Sequence, residues 1–130
     1  IVALVKEYGG IEFVLSFIKK RISDERGGEL GIAALSLVVD MCTANNTVAI
    51  VMAGPIAKEI SDEFGVTPRR SASLLDMFSS MGQGLIPYGA QLLAAASLTG
   101  LTPFEIIPYC FYPILMGLSG LVFIFMKKRK

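Results

Sequence analysis

Residues 40–47 read Asp-Met-Cys-Thr-Ala-Asn-Asn-Thr, a polar block in the middle of an apolar stretch. The stretch runs from Leu30 to Ala53 and holds 24 residues, of which Asp40 is the only charged one. An ionisable group and two adjacent carboxamides each cost several kcal/mol in hydrocarbon when they have no partner. Because polar groups inside apolar segments mark substrate or ion pathways, the block predicts a transport protein.

The composition of the chain indicates a membrane protein. Of 130 residues, 53% are hydrophobic and 18% are charged, which exceeds the apolar content that a soluble domain needs for its core. The charges gather at residues 19–29, 58–70 and 127–130, and apolar runs lie between them. We therefore expect an all-α, polytopic membrane protein whose partner is the lipid bilayer.

Several other classes are disfavoured. The net charge is +1 and basic residues alternate with acids in the same loops, so we expect no nucleic-acid partner. There is no histidine and no nucleophile motif, and Cys42 and Cys110 show no metal-ligand spacing, so we expect no enzyme and no bound cofactor. Because the chain begins with Ile1 and has no charged leader, we expect a fragment of a longer protein.

The first 28 residues are predicted to hold the end of an upstream span and an interfacial helix. Apolar residues at positions 11, 14, 15, 18 and 22 form a helical stripe beside a basic terminus. An ordinary connecting helix is the alternative. Gly27-Gly28 is expected to break the chain before the next element.

Three apolar runs follow, at residues 30–53, 71–100 and 106–126. The third has 21 uncharged residues, about 30 Å as a helix, which predicts a transmembrane helix over 103–126. The second is too long for one span and carries Gly82-Gln83-Gly84 and Gly89 around Pro87-Tyr88. It predicts a broken helix over 71–99, with arms from 71 to about 81 and from 89 to about 98.

The distribution of basic residues constrains the topology, because short cytoplasmic loops are enriched in Lys and Arg. If all three basic clusters and the C-terminus are cytoplasmic, the first run must enter and leave on one side. It then forms a re-entrant hairpin over 29–64 with Asn45-Asn46 at or near the tip. In the alternative topology the first run spans the membrane and the second forms the hairpin.

The tip of such a hairpin offers oxygen ligands. A non-helical tip at membrane depth must be buried in protein or line a wet cavity. The side-chain oxygens of Thr43, Asn45, Asn46 and Thr47 could replace the water shell of a monovalent cation. The alternative is that these residues satisfy the backbone of a bend between packed helices.

The second run has a polar face. Asp76, Ser79, Ser80 and Gln83 fall at i, i+3, i+4 and i+7, so one helical face presents a carboxylate, two hydroxyls and a carboxamide. We expect this face to end at a break over 82–89 and to form one site together with the hairpin tip. A serine-rich packing face with a single buried acid is the alternative.

Two acids lie deep in these runs, Asp40 and Asp76. One buried carboxyl can take either a proton or a cation and so couple the two. Asp76 is the favoured coupling acid, and Asp40 is expected to join the site or to support it. Glu105 is expected to be a helix N-terminal charge.

Two segments carry a family resemblance: residues 43–57, Thr-Ala-Asn-Asn-Thr-Val-Ala-Ile-Val-Met-Ala-Gly-Pro-Ile-Ala, and residues 73–91. Both resemble the C-terminal part of NhaC-type sodium/proton antiporters. The resemblance implies a prokaryotic cytoplasmic-membrane carrier of the broad ion-transporter superfamily, with inverted repeats. Its partner would be an N-terminal repeat of the same protein, and a homodimer is left open.

The favoured function is antiport in which Na⁺ and H⁺ compete for a site built from Asp76, the face over 79–83 and the tip at 45–46. One alternative is a sodium- or proton-coupled carrier of organic anions or amino acids. Another is a membrane assembly segment that transports nothing, in which small residues such as those at 94–97 serve helix association.

Overall fold

The computed structural model describes Ser16, Phe17, Lys20 and residues 24–126. Within this part the secondary structure is helical, as predicted, and contains no strand. The α-helices are α1 (Glu25–Thr43), α2 (Asn46–Phe64), α3 (Pro68–Leu85), α4 (Ala90–Thr99), α5 (Pro103–Ile106) and α6 (Phe111–Phe125), and a 3₁₀ turn, Ile107–Tyr109, precedes α6. The predicted upstream span and most of the predicted interfacial helix lie outside the described residues.

The first two helices form an antiparallel hairpin. Ala44 ends α1 in the left-handed conformation with φ of 48°, and Asn45 caps α2 by accepting a hydrogen bond from the Val48 amide at 3.1 Å. At the other end a Cβ added to Gly28 would lie 2.6 Å from Cβ of Phe64. This is the helix–tip–helix arrangement that the loop charges favoured, and its re-entry into a membrane stays a prediction.

The hairpin is longer than predicted at its start. Gly27 and Gly28 do not break the chain but lie buried inside α1, and Phe64 at the end of α2 packs closely against Gly28. Each arm has 19 residues, which is about 28 Å of helix.

The third helix completes a three-helix bundle. Gly65, with φ of 70°, ends α2, and Pro68 opens α3 at its first position, so the connection is short. The three helices share one apolar core, in which full burial of a large aliphatic or aromatic side chain contributes about 1.5–3 kcal/mol. Its members include Ile32, Leu35, Ala53, Ile56, Ala57, Ile60, Leu74 and Phe78, and Ile124 of the last helix also belongs to it.

The break in the second run lies later than predicted. Helix α3 continues through Gly82-Gln83-Gly84 to Leu85, and the chain leaves helical geometry only over residues 86–89. The two glycines stay helical because each faces a side chain from another helix. Gly82 faces Asp40 of α1, and Gly84 faces Pro113 of α6. They serve close packing rather than unwinding.

The predicted spanning helix over 103–126 is not continuous. It consists of α5, the 3₁₀ turn and the 15 residues of α6, which cover about 22 Å. Of the helices that the structure describes, none is by itself both long and apolar enough to cross a membrane. Residues 68–99 and 103–109 reach that length and hydropathy together and are bent by 96°.

The last helix packs on α3, where Gly117 and Gly120 of α6 lie against Met81 and Phe78. At the start of α5, the Glu105 carboxylate accepts hydrogen bonds from the amide and the hydroxyl of the N-cap residue Thr102, both at 2.8 Å. Glu105 thus belongs to a helix capping box, in agreement with its predicted role as a helix N-terminal charge.

Candidate functional site

The hairpin tip is bound to the middle of α3 through Asn46. Its amide nitrogen donates to the Ser80 hydroxyl at 3.1 Å, and its oxygen accepts from the Ser79 hydroxyl at 2.5 Å. Ser79 is fully buried. The first residue of α2 therefore joins the hairpin to the polar face of the second run.

Two residues around the second break, at residues 86–89, reach the end of α1: Gln83, which precedes the break, and Tyr88, which lies within it. The Gln83 amide nitrogen donates to the Ala44 carbonyl at 3.1 Å and to the side-chain oxygen of Gln91 at 2.8 Å. The Tyr88 hydroxyl donates to the Met41 carbonyl at 2.7 Å. Each of the two non-helical segments is thus hydrogen-bonded to the helix end beside the other: Ala44, in residues 44–45, to α3, and Tyr88, in residues 86–89, to α1.

The Asp40 carboxylate lies beside these contacts, in the last turn of α1. Asp40 is fully buried, and neither of its oxygens has a hydrogen-bond partner within the described residues. The same holds, within that part of the chain, for the side-chain oxygen of Gln83. On α3, Gly82 provides the space that the carboxylate occupies.

The local electrostatics favour a positive ligand. The C-terminal end of a helix carries about half a negative charge, and the last turn of α1 contains no basic residue. The Asp40 carboxylate adds its own charge in the same turn. A buried carboxylate without a counter-ion costs several kcal/mol, and either a proton or a bound cation removes that cost.

The structure brings together four of the predicted residues, Asn46, Ser79, Ser80 and Gln83, and places Asp40 next to them. The other three predicted tip residues have local surroundings. Thr43 donates to the Val39 carbonyl at 3.0 Å, Asn45 caps α2, and Thr47 is exposed. For Thr43 and Asn45 this is the hydrogen bonding expected of a bend.

Asp76 differs from its prediction as the buried coupling acid. Its side chain is exposed in the described part of the chain, although it shares a helical face with Ser79, Ser80 and Gln83. Asn46 contacts α3 at the level of the two serines, and Asp76 lies one turn further from the tip. The buried acid beside the tip is Asp40.

A second buried carboxylate occurs at the opposite end of α1. Glu29 is fully buried and accepts two hydrogen bonds from Arg70 of α3, at 2.5 and 3.1 Å. Arg70 also donates to the Phe123 carbonyl of α6 at 3.1 Å, and its guanidinium lies 4.1 Å from the centre of the Phe123 ring. One arginine therefore connects three helices.

The sequence predictions do not include this ion pair or the contacts that Gly82, Tyr88 and Gln91 make around the site. The pair had a signal, because loop charge placed the starts of α1 and α3 on the same side. For Tyr88 and Gln91 the only signal in the sequence is their place in the segment that resembles a known family. Helical spacing gives no signal for them, since it relates residues of one helix only.

Two comparisons with known proteins give the same class. A sequence model described as the Na+/H+ antiporter family matches residues 1–128. The arginine/ornithine antiporter ArcD of Halobacterium salinarum is 25% identical over 124 residues, which are 89% of this chain and 26% of that protein. The chain thus spans about a quarter of the length of this relative. No solved structure matches.

Both matches are to antiporters, which points to a membrane transporter rather than to an enzyme. Since the family model covers nearly the whole sequence, the chain belongs to the Na⁺/H⁺ antiporter family.

Proposed function

We propose that the protein is an NhaC-type antiporter in which Na⁺ and H⁺ compete for the carboxylate of Asp40. One observation carries the proposal. Asp40 is fully buried at the C-terminal end of α1, and the described residues supply no partner to either of its oxygens. A carboxylate in such a place is stable only when a proton or a cation neutralises it.

Competition for a single carboxylate supports exchange rather than joint transport. The site is neutral with one proton and neutral with one Na⁺, whereas the empty, charged site is costly to bury. The carrier can therefore change the side of the membrane to which the site opens when the site holds a proton or Na⁺. The empty, charged site prevents this change. The neighbouring Gln83 oxygen is a further neutral ligand of the kind that suits a monovalent cation.

The setting of the site also supports a carrier. Two non-helical segments, each hydrogen-bonded to the helix end beside the other through Gln83 and Tyr88, form the kind of broken-helix arrangement in which transporters bind ions. The resemblance to NhaC-type antiporters supports a prokaryotic cytoplasmic membrane as the location, and the basic loops support a cytoplasmic C-terminus. The hairpin is re-entrant in this proposal.

A matched pair of variants tests the proposal. The full-length protein is reconstituted into liposomes with a trapped pH-sensitive dye, and proton movement is recorded after a pulse of Na⁺. We expect Na⁺-driven proton movement in the wild type and in Asp76→Asn, and its loss in Asp40→Asn. The two variants carry the same chemical change at a buried and at an exposed acid. Wild-type rates in Asp40→Asn would exclude Asp40 as the coupling group.

A second candidate function is the exchange of cationic amino acids, which the similarity to an arginine/ornithine antiporter favours. A buried carboxylate also accepts guanidinium and ammonium groups through charge-assisted hydrogen bonds. Counterflow of labelled arginine into liposomes loaded with ornithine would establish this substrate class. The negative potential at the end of α1 disfavours organic anions.

A further inference from the structure

Gly82 lies where α1 and α3 approach each other beside the proposed ion site. A Cβ built on Gly82 would lie 2.7 Å from Oδ2 of Asp40 and 3.3 Å from Cδ2 of Leu37. The first distance is shorter than real Cβ contacts allow, so the carboxylate occupies space that any other residue at position 82 would fill. Gly82 itself is buried inside α3.

The position of the carboxylate determines its distance from the oxygen ligands on α3. Gln83 is the next residue of α3, and its buried side-chain oxygen accepts no hydrogen bond within the described part of the chain. A methyl group at position 82 would push the Asp40 carboxylate away from α3 by several tenths of an ångström. The distance between the carboxylate and the Gln83 oxygen would change with it.

We infer that Gly82 is a specificity-determining residue, whose missing side chain seats the Asp40 carboxylate against α3 and so sets the size of cation that the site accepts. Oxygen sites select among cations through cavity size and through the number and rigidity of their ligands. This inference rests on the proposed function. Gly82 does not itself bind the ion. It acts through the position of the Asp40 carboxylate.

The test compares two cations in one assay. Km and maximal rate of proton movement are measured for Li⁺ and Na⁺ in liposomes that contain the full-length protein. Gly82→Ala should raise the Km for the smaller Li⁺ more than the Km for Na⁺, with a change in their ratio of roughly tenfold, as for outer residues of metal sites. Gly54→Ala is the control, because its added Cβ would meet no atom within 4 Å.

The outcomes separate selectivity from packing. If Gly82 served packing alone, Gly82→Ala would lower the maximal rate for both cations and leave the Km ratio unchanged, which would overturn the inference. Should Gly82→Ala not fold, the same comparison is made between Leu37→Ala and Leu37→Ala/Gly82→Ala, where the apolar clash is relieved. If the wild type moves protons with neither cation, the proposed function fails as well.

Discussion

Helix α1 carries two fully buried carboxylates, Glu29 and Asp40, about three helical turns apart. Glu29 is held by two hydrogen bonds from Arg70, which also contacts α6. Asp40 is surrounded by the hairpin tip and the end of α3, and its oxygens have no partner among the residues that the structure describes. The same kind of group is thus neutralised by the protein at one end of the bundle and, in the proposed function, by a transported ion at the other.

Under the proposed function, this difference lets one helix serve both stability and transport. A buried ion pair gains little net free energy, but it fixes the geometry of the elements that it joins. Arg70 fixes the starts of α1 and α3 and the end of α6 in this way. The opposite end contains one acidic group, Asp40, without a counter-charge in the described structure, so under the proposed function its free energy would depend on the ion bound there.

The largest effect is expected at the paired end. Arg70→Met leaves Glu29 as an uncompensated buried charge and should lower the free energy of unfolding by about 3–5 kcal/mol. Urea unfolding of the full-length protein in detergent measures this change. Glu29→Gln/Arg70→Met should recover much of the loss, and Arg69→Met, at an exposed neighbour, should change little. A loss below 1 kcal/mol in Arg70→Met would show that the pair does not secure the bundle.

The next effect tests the attachment of the tip. Asn46→Ala removes the hydrogen bonds to Ser79 and Ser80 and should cost about 1–3 kcal/mol of unfolding free energy. Thr47→Ala, at the adjacent exposed position, should stay within about 0.5 kcal/mol of the wild type. Equal stabilities of the two variants would mean that Asn46 does not connect the hairpin to α3.

A smaller effect separates capping from ion binding at the same tip. Asn45→Ala should lower stability by about 1 kcal/mol through loss of the helix cap on α2, and Asn45→Asp should restore it. Because the Asn45 side-chain oxygen accepts its hydrogen bond from the Val48 amide, it is not needed as an ion ligand. The Km for Na⁺ should therefore remain unchanged in both variants. A raised Km in Asn45→Asp, where the cap is kept, would return Asn45 to the ion site.

The sequence could predict residues that share a helical face but not the depth to which each is buried. The polar block at 40–47 indicated the tip, and helical spacing selected Ser79 and Gln83. Spacing does not say how far a neighbouring helix covers that face. Asp76 was therefore favoured over Asp40, although the tip reaches α3 one turn away from Asp76.

The glycines show the same limit. A glycine that ends a helix and a glycine that lets two helices approach look alike in one sequence. In the sequence Gly82 and Gly84 indicate a break, whereas the structure places them inside α3, where Asp40 and Pro113 pack against them. The two kinds of glycine differ in whether a side chain from another helix packs against them, and only the tertiary structure shows that contact.

The smallest change in stability is expected for Asp40→Asn, the variant that should lose transport completely. Asp40→Asn keeps the shape of the side chain and is neutral, like the proton-loaded form of the proposed site, so without added metal ions its unfolding free energy should stay within about 1 kcal/mol of the wild type. Na⁺ at ten times its Kd should stabilise the wild type by about 1.4 kcal/mol and leave Asp40→Asn unchanged. Glu29→Gln, the same kind of substitution at the paired end, should lose more stability than Asp40→Asn and keep the full response to Na⁺. If Glu29→Gln lost that response while Asp40→Asn kept it, the assignment of the two carboxylates would be reversed.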